Sequence, residues 1–285
     1  SHGTLRYNPC NDVIFPSVIS AAPLRGALGR YYMYYAPHNR PGGICLAYAE
    51  DAGGPWREYP GNPVISNVWA PHYSVSHVSS PHALWMGAEG RLFLYFHGEN
   101  RTTRLASSTD GVGFRYEGEM VEASSFEGAR TASYARVFSH AHPLRGAGYI
   151  MLLMGHCVPA ARIYLAWSKD GRRWECRREV FIDLPPGTGV ENVCSPWFFP
   201  WKGRFYVLYH GDLAGFRTNV YATEVGADLT RNRFAGVFYD RRAVSAENLR
   251  AADPCLFEAE GRLRLFVSIG PRLNQDIAVA TALCA

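Results

Sequence analysis

The sequence of 285 residues lacks the marks of several large protein classes. No window approaches the ~18 unbroken apolar residues of a membrane-spanning helix, and no signal-peptide core is visible. Charge of one sign is also missing, because 29 Lys and Arg against 25 Asp and Glu leave a net charge of +4 with no basic run. We therefore expect neither a membrane protein nor a nucleic-acid-binding protein.

Cysteine frameworks and short catalytic motifs are missing as well. The seven cysteines are odd in number and widely spaced, with no Cys-x-x-Cys pair, which argues against a disulfide framework and a structural zinc site. The chain has no Gly-rich phosphate loop, no G-x-S-x-G and no H-E-x-x-H. We expect a cytoplasmic protein that needs no cofactor. A structural or channel metal ion is kept as an alternative.

Aromatic and turn-forming residues are abundant. The chain has 17 Tyr, 15 Phe and 7 Trp, together with 28 Gly and 18 Pro. Long amphipathic helical patterns are hard to find. This composition favours an all-β fold of short strands joined by turns.

One unit of strand-like segments occurs five times. Each copy contains an alanine in a short apolar segment, and the five alanines follow one another at intervals of 56 to 60 residues: Ala47, Ala106, Ala166, Ala222 and Ala278. An aromatic or aliphatic run precedes each alanine, as in residues 30–35 and 204–209. An earlier marker contains proline in four copies: Pro16, Pro81, Pro196 and Pro254. Each copy therefore predicts three or four short strands.

Five such sheets arranged around an axis bury one another's faces, which a single sheet cannot do alone. We predict one five-bladed β-propeller domain over residues 3–285, with blades of roughly residues 11–66, 67–124, 125–186, 187–243 and 244–285. The last copy is short, so residues 4–9 are predicted to close the ring as the outer strand of the last blade. The alternative is a β-sandwich with chance internal similarity.

Polar side chains are expected at one face of this ring, where first strands begin, second strands end and third strands begin. His97, His156 and His210 occupy one repeat position at the ends of second strands, and arginines open the third strands. Imidazole suits a metal, proton transfer or a sugar hydroxyl, and the arginine fork suits an anionic group. We favour hydrogen bonding to a substrate. The predicted substrate-binding residues are His77, His97, His156, His210, Arg104, Arg162, Arg217 and Trp197.

Three carboxylates at the same face are candidates for catalysis. Asp12 and Glu191 lie four and five residues before the prolines of blades one and four, and Asp253 directly precedes that of blade five. Glycoside hydrolysis uses two carboxyl groups, ~6.5–9.5 Å apart when water attacks the sugar directly. We expect Asp12 and Glu191 to face each other across the propeller mouth. The alternative is that these residues cap turns by bonding nearby backbone.

Two segments, residues 108–114 and 168–174, are similar to the Asp-box of sialidases, although here the glycine follows the Asp directly. In such a segment the Asp bonds backbone, the glycine takes a positive φ and the aromatic residue packs. We predict that both are structural turns.

The whole pattern resembles the five-bladed propeller glycoside hydrolases, the broad group of families 43, 62, 32 and 117. In that group a blade-one Asp is the base and a blade-four Glu is often the acid. A blade-three Asp tunes pKa and orientation. The resemblance implies Asp12 as base and Glu191 as acid, although both lie further from proline than the usual Asp-Pro. Residues 131–135 contain no blade-three Asp, whereas Asp253 has the Asp-Pro form in blade five. Some of these families use His as the acid, which keeps His77 and His210 as candidates.

These features predict a glycosidase, inverting, that cleaves a furanoside or an anionic sugar residue from a glycoside or oligosaccharide. One alternative is a lyase directed at uronic-acid polysaccharides, with His or Tyr as base and Arg neutralising the carboxylate. Another is a non-catalytic carbohydrate-binding propeller, which requires equivalent pockets between blades. The blade-entry residues differ from blade to blade, which favours one asymmetric central site.

Overall fold

The computed structural model describes residues 12–38 and 40–283. Within this part of the chain, five antiparallel sheets follow one another, and strands that pair are neighbours in sequence. The predicted all-β five-bladed propeller is confirmed. The predicted closing strand at residues 4–9 lies outside the described residues, and the predicted domain limits stay a prediction.

Each blade runs outward from the propeller axis in chain order. Blade one contains β1 (Ile14–Ser20), β2 (Tyr31–Ala36), β3 (Cys45–Ala49) and β4 (Arg57–Glu58), and a hairpin of β5 (Val68–Trp69) and β6 (Tyr73–Ser74) follows it. Blade two contains β7 (Val78–Met86), β8 (Arg91–Gly98), β9 (Thr102–Ser108) and β10 (Arg115–Glu122). Blade three contains β11 (Ser133–His142), β12 (Gly146–Cys157), β13 (Ala160–Ser168) and β14 (Glu175–Cys176). Blade four contains β15 (Asn192–Trp201), β16 (Arg204–Leu213), β17 (Arg217–Val225) and β18 (Asn232–Tyr239), and blade five contains β19 (Ala251–Ala259), β20 (Arg262–Ile269) and β21 (Asp276–Leu283).

Helical structure in the described chain is limited to single 3-10 turns at Gly87–Glu89, Ala123–Ser125 and Arg241–Ala243. Among these residues no helix has the length and apolarity to cross a membrane.

Burial follows the position of a strand in its blade. All six residues of β2 are buried, and so are seven of the eight residues of β8, because the second strand of a blade packs against a neighbouring blade on each face. The outer strands β10 and β18 are mostly exposed or half-buried. The apolar runs that marked the repeat in the sequence are therefore the core of the ring.

Every inner strand contains a β-bulge at the same place, and one residue of each bulge has a left-handed backbone. We call these five residues the bulge ring: Phe15, Ser80, Tyr134, Ser195 and Asp253, with φ between 49° and 59°. A positive φ is uncommon outside glycine and persists only where the surroundings enforce it. The proline markers of the sequence directly follow four of these residues.

Two residues further along each inner strand, the side chains form a second, buried layer at the axis. We call it the axial layer: Ser17, His82, Arg136, Trp197 and Cys255. His82 and Trp197 belong to blades that are not adjacent, yet their ring centroids lie 5.5 Å apart, so both reach the axis. In the bulge ring, Phe15 and Tyr134 likewise meet across the axis at 5.0 Å.

A repeated hydrogen bond joins the blades at the level of the bulge ring. The second strand of one blade accepts from the backbone N–H of the bulge-ring residue of the next blade. His97 Nδ1 accepts from Tyr134 at 3.4 Å, and His210 Nδ1 accepts from Asp253 at 3.1 Å. Ser268 Oγ accepts from Phe15 at 3.4 Å. This contact satisfies a buried backbone donor that the bulge removes from the ladder.

Candidate active site

A cavity of about 430 Å³ opens on one face of the ring, among blades one, three, four and five. Its lining includes three carboxyl side chains, Glu191, Asp212 and Asp253. It also includes the cations Arg250 and Arg272. A concave, polar site rich in ionisable groups is the usual form of a site for chemistry on a small molecule.

Asp253 lies at the bottom of this cavity, in the bulge ring. It is 2% exposed, and Ser195 of blade four donates a hydrogen bond from Oγ to Asp253 Oδ1 at 2.5 Å. Burial raises the pKa of Asp253, but His210 and the hydroxyls of Ser195 and Ser268 outweigh burial and lower that pKa to about 2. Asp253 is therefore an ionised carboxylate at neutral pH, inside the protein.

His210 lies against Asp253 with its Nδ1 atom. When the ring is neutral, Nδ1 accepts from the backbone N–H of Asp253 at 3.1 Å, which puts the ring proton on Nε2. When the ring is protonated, Nδ1 can donate to Asp253 Oδ1, 3.4 Å away. His210 therefore contacts Asp253 through the same ring nitrogen in either protonation state.

Cys194, His210 and Asp212 offer a set of three side chains that resembles a metal site. Their possible ligand atoms lie within 4.8 Å of one another. However, a neutral His210 has Nδ1 bonded to an N–H and a proton on Nε2, so it has no free lone pair for a metal. Burial also raises the pKa of Cys194 well above its usual value, so the thiol keeps its proton. This donor set does not fit a metal ion as it is arranged.

Glu191 and Asp212 form the wall of the cavity on blade four. Glu191 is exposed at the mouth, just before β15, and its backbone N–H donates to the Asp212 carbonyl at 2.8 Å. Asp212 lies two residues after His210 on β16, so both side chains leave the same face of that strand. Sequence reasoning missed Asp212, although the period-two spacing from His210 would have indicated it.

Two arginines and an aromatic ring border the opening. Arg250 Nη2 lies 3.5 Å from Asp212 Oδ1, and its Nη1 donates to the Phe216 carbonyl at 3.2 Å. Phe216 is 62% exposed, and the Arg272 guanidinium lies 5.2 Å from the centre of its ring. An exposed ring beside charged groups is a surface on which a sugar can stack. Arg272 lies between β20 and β21, where the sequence carried no signal.

Asp12 does not line the cavity. It is 1% exposed, and its two carboxylate oxygens accept backbone N–H groups from His38 at 3.2 Å and from Gln275 at 3.0 Å. These bonds tie blade one to blade five. Burial raises the pKa of Asp12 even though both hydrogen bonds lower it. The expectation that Asp12 and Glu191 face each other across the mouth is corrected, because Asp12 is enclosed by backbone and its neighbour Phe15 occupies the bulge ring.

Among the predicted histidines, only His210 lines the cavity. His97 is 2% exposed and accepts from Tyr134, and burial holds its pKa well below the usual value. The prediction that His156 is equivalent to His97 and His210 is wrong. His156 lies two residues beyond the strand position that His97 and His210 share. His77 contacts Ser76 at 3.0 Å and packs against the His97 ring.

The three predicted arginines and Trp197 also lie outside the cavity lining, which corrects their expected place. Arg104 is 4% exposed and pairs with Glu99 at 3.1 Å and Glu119 at 2.9 Å. Arg162 pairs with Asp183. Arg217 is exposed and donates to the Ala214 carbonyl at 2.9 Å. Trp197 is buried in the axial layer. Local ion pairs hold Arg104 and Arg162, and a backbone carbonyl binds Arg217.

Comparison with known proteins identifies the fold but no close relative. No family model matches the chain, and no curated protein matches its sequence. An endo-arabinase from Bacteroides thetaiotaomicron superposes with a TM-score of 0.70 at 12% identity, over 96% of each chain. An alpha-L-arabinofuranosidase from Lactobacillus brevis gives 0.69 at 12% identity, over 98% of this chain and 93% of that one. A thermostable family-43 glycoside hydrolase gives 0.57 at 17% identity, over 75% and 71%. This chain shares their fold.

Proposed function

We propose that this protein is a glycoside hydrolase that works in the cavity at the propeller mouth. The observation that carries the proposal is Asp253: an ionised, buried carboxylate at the bottom of a polar cavity that Glu191 and Asp212 also line. The solved structures with the same fold include proteins named as glycoside hydrolases, an arabinofuranosidase and an endo-arabinase, which supports the proposal by analogy.

We assign the base to Asp253 and not to Asp12. A base must face the substrate, and Asp253 lines the cavity whereas Asp12 does not. Asp253 also has the Asp-Pro form that the sequence pattern links to the catalytic Asp. In this proposal Asp253 takes a proton from water as the water attacks the anomeric carbon, and the sugar configuration inverts.

We assign the acid to Glu191, at the mouth. It protonates the leaving glycosidic oxygen, so it must hold a proton when substrate is bound. Asp212 lies beside it on the same wall of the cavity, and the Asp212 carbonyl accepts the backbone N–H of Glu191 at 2.8 Å. The proposed substrate is a furanoside or an anionic sugar residue, and Arg250 and Arg272 beside the opening suit the anionic one.

A lyase acting on uronic-acid sugars is the second candidate. Tyr134, His210 and Arg250 line the same cavity and offer a base and a partner for the uronate carboxylate. Burial raises the pKa of Tyr134 well above its usual value, which disfavours it as the base. A lyase forms an unsaturated product that absorbs in the ultraviolet, and hydrolysis does not.

The test is a screen of aryl furanosides, arabinan and uronate oligosaccharides with the full chain, followed by NMR of the first anomer released. We expect a reducing sugar of inverted configuration and no ultraviolet-absorbing product. An unsaturated product would support the lyase. Saccharide binding without turnover would support a carbohydrate-binding propeller.

A further inference from the structure

Arg136 is a fully buried arginine at the propeller axis that the site described above does not use. It is 0% exposed and belongs to the axial layer, two residues beyond Tyr134 of the bulge ring. Its Nη1 donates to the Pro81 carbonyl of blade two. The guanidinium therefore lies inside the ring, beneath the cavity, and not in solvent.

The charge of Arg136 has no ion pair of its own. Among residues 12–38 and 40–283, no carboxylate oxygen comes within 4.0 Å of it, and its Nε and Nη2 atoms are buried without a hydrogen-bond partner. The other deeply buried arginines differ: Arg104 has two glutamates, and Arg264 has Asp51 and Glu260. An isolated charge inside a protein is costly unless an opposite charge balances it.

Asp253 is the opposite charge available at the axis. Burial lowers the pKa of Arg136, whereas Cys255 and Asp253 act to raise it. Burial also raises the pKa of the Cys255 thiol to about 12, so that thiol is neutral at physiological pH. Among the ten side chains of the bulge ring and the axial layer, Asp253 is the one carboxylate and Arg136 the one arginine, so Asp253 is the anion available at the axis to balance Arg136.

The other groups around Asp253 do not supply a permanent positive charge. His82, next to Arg136 in the axial layer, is neutral because burial lowers its pKa to about 3. His210 is charged only when protonated, and Arg250 lies 3.5 Å from Asp212. Arg272 lies over the Phe216 ring at the opening of the cavity, and His38 stacks on Phe15. The other titratable groups of the described chain that act on Asp253, which are Asp12, Tyr134 and Cys194, are not cationic.

We propose that Arg136 is a positioning residue that supplies, from within the propeller axis, the permanent positive charge balancing the Asp253 carboxylate. No direct salt bridge blocks Asp253, so the carboxylate stays open to the cavity, and the charge of Arg136 adds to the effect of His210, Ser195 and Ser268 on its ionised form. The catalytic meaning of this pairing rests on the proposed function, but the charge balance itself does not. It can be measured in the protein without any substrate.

The experiment follows protonation of Asp253 by NMR, with 13C-labelled aspartate carboxyls in the full chain. The resonance is assigned by its loss in Asp253→Asn. In the wild type we expect it to keep the chemical shift of a carboxylate to the lowest pH at which the protein stays folded. Arg136→Met should move the titration midpoint upward by about one pH unit or more, because an opposite nearby charge typically lowers an Asp pKa by ~1–3 units. Arg136→Lys, which keeps the charge, should restore most of the shift.

Arg264→Met is the matched control, since Arg264 is also 2% exposed but pairs with other carboxylates. It should destabilise the protein and leave the Asp253 midpoint unchanged. If Arg136→Met does not fold, Arg136→Gln, which keeps a donor for the Pro81 carbonyl, replaces it. An unchanged midpoint in the charge-free Arg136 variant, or an equal shift in Arg264→Met, overturns the proposal. Failure to find glycosidase activity bears on the proposed function alone, because the titration needs no substrate.

Discussion

Ser195 and Asp253 occupy the same place in adjacent blades, and Ser195 Oγ donates to Asp253 Oδ1 at 2.5 Å. The bulges of blades four and five thus point two side chains at each other across a blade boundary. A hydrogen bond to a carboxylate is stronger than one between neutral groups, and it favours the ionised form. The bulge ring is therefore both a joint between blades and the support of the central carboxylate.

The first prediction concerns that bond. Ser195→Ala should cost about 1–3 kcal/mol of unfolding free energy at pH 7, because a buried carboxylate loses a donor. Ser80→Ala is the control, since Ser80 holds the same bulge-ring place in blade two but its buried Oγ has no hydrogen-bond partner among the described residues. Urea denaturation of both variants measures the difference. Equal losses in the two would show that the Ser195 contact contributes nothing specific.

The second prediction is kinetic. Asp253→Asn should lower kcat by about 10²–10⁴-fold, the usual contribution of a general base, while substrate still binds. Asp12→Asn is the matched control, because Asp12 is equally buried but bonds backbone outside the cavity lining. It should lower stability and keep most of kcat. Steady-state kinetics and calorimetric binding on the substrate found by the screen decide this, and a large kcat loss in Asp12→Asn alone would return the base role to Asp12.

The third prediction is a pH dependence of stability that comes from Asp253. Its pKa in the folded protein, about 2, lies below the ordinary value of 3.8. The stabilisation is therefore fully present above pH 4 and is lost as the pH falls through about 2, below which both states are protonated. In acid unfolding, the unfolding free energies of the wild type and of Asp253→Asn should converge as the pH falls across this window. Parallel curves would mean that folding does not lower the pKa of Asp253.

The arrangement of the blades could be predicted from the sequence because every sheet has the same pattern of burial. The second strand of every blade is buried on both faces, so an apolar run recurs at a fixed interval, and a small alanine recurs opposite it in the third strand. The place of single side chains could not be predicted as well. The bulge before Ser17 or Cys255 adds a residue to the inner strand, which shifts the alternation and makes counting across it unreliable.

Two errors show how the bulge matters. The resemblance implies that Asp12 is equivalent to a catalytic Asp, but Phe15 fills that place in the bulge ring and Asp253 is the carboxylate that fills it in blade five. The repeat spacing groups His156 with His97 and His210, but the register of β11 with β12 puts Met154 opposite Ser133 in the equivalent place. Ring positions depend on strand register, which spacing along the sequence does not define.

The fourth prediction concerns the turns at residues 108–114 and 168–174. Asp110 Oδ1 accepts from the N–H groups of Val112 and Gly113, both at 2.8 Å, and Asp170 does the same in blade three with Arg172 and Arg173. The hydrogen bonds lower the pKa of Asp110 although burial raises it.

Gly111 is the most constrained position of the first turn. It has φ +76°, and an added Cβ would lie 2.8 Å from the Tyr34 hydroxyl oxygen. Gly111→Ala should therefore destabilise the protein by more than the ~1 kcal/mol that a left-handed alanine alone costs, because Tyr34 must also move. Gly128→Ala is the control, with φ +71° and nothing within 4 Å of the added Cβ. Thermal unfolding compares the two, and equal losses would mean that the contact with Tyr34 adds nothing.

The fifth prediction is a histidine effect on stability at mildly acidic pH. His82 Nε2 lies 2.7 Å from the Val137 carbonyl, and burial lowers its pKa from 6.5 to about 3. Between these two pH values His82 is protonated in the unfolded chain but not in the folded protein. The free energy of unfolding therefore rises by about 1.4 kcal/mol per pH unit. His82→Gln, which keeps a donor for Val137, should reduce the slope by that amount between pH 4 and 6 and leave the slope above pH 7 unchanged. The control is His72→Gln, an exposed histidine, which should leave the slope as in the wild type. Denaturant titrations across this range measure the slope, and an unchanged slope in His82→Gln would show that His82 is protonated inside the axial layer.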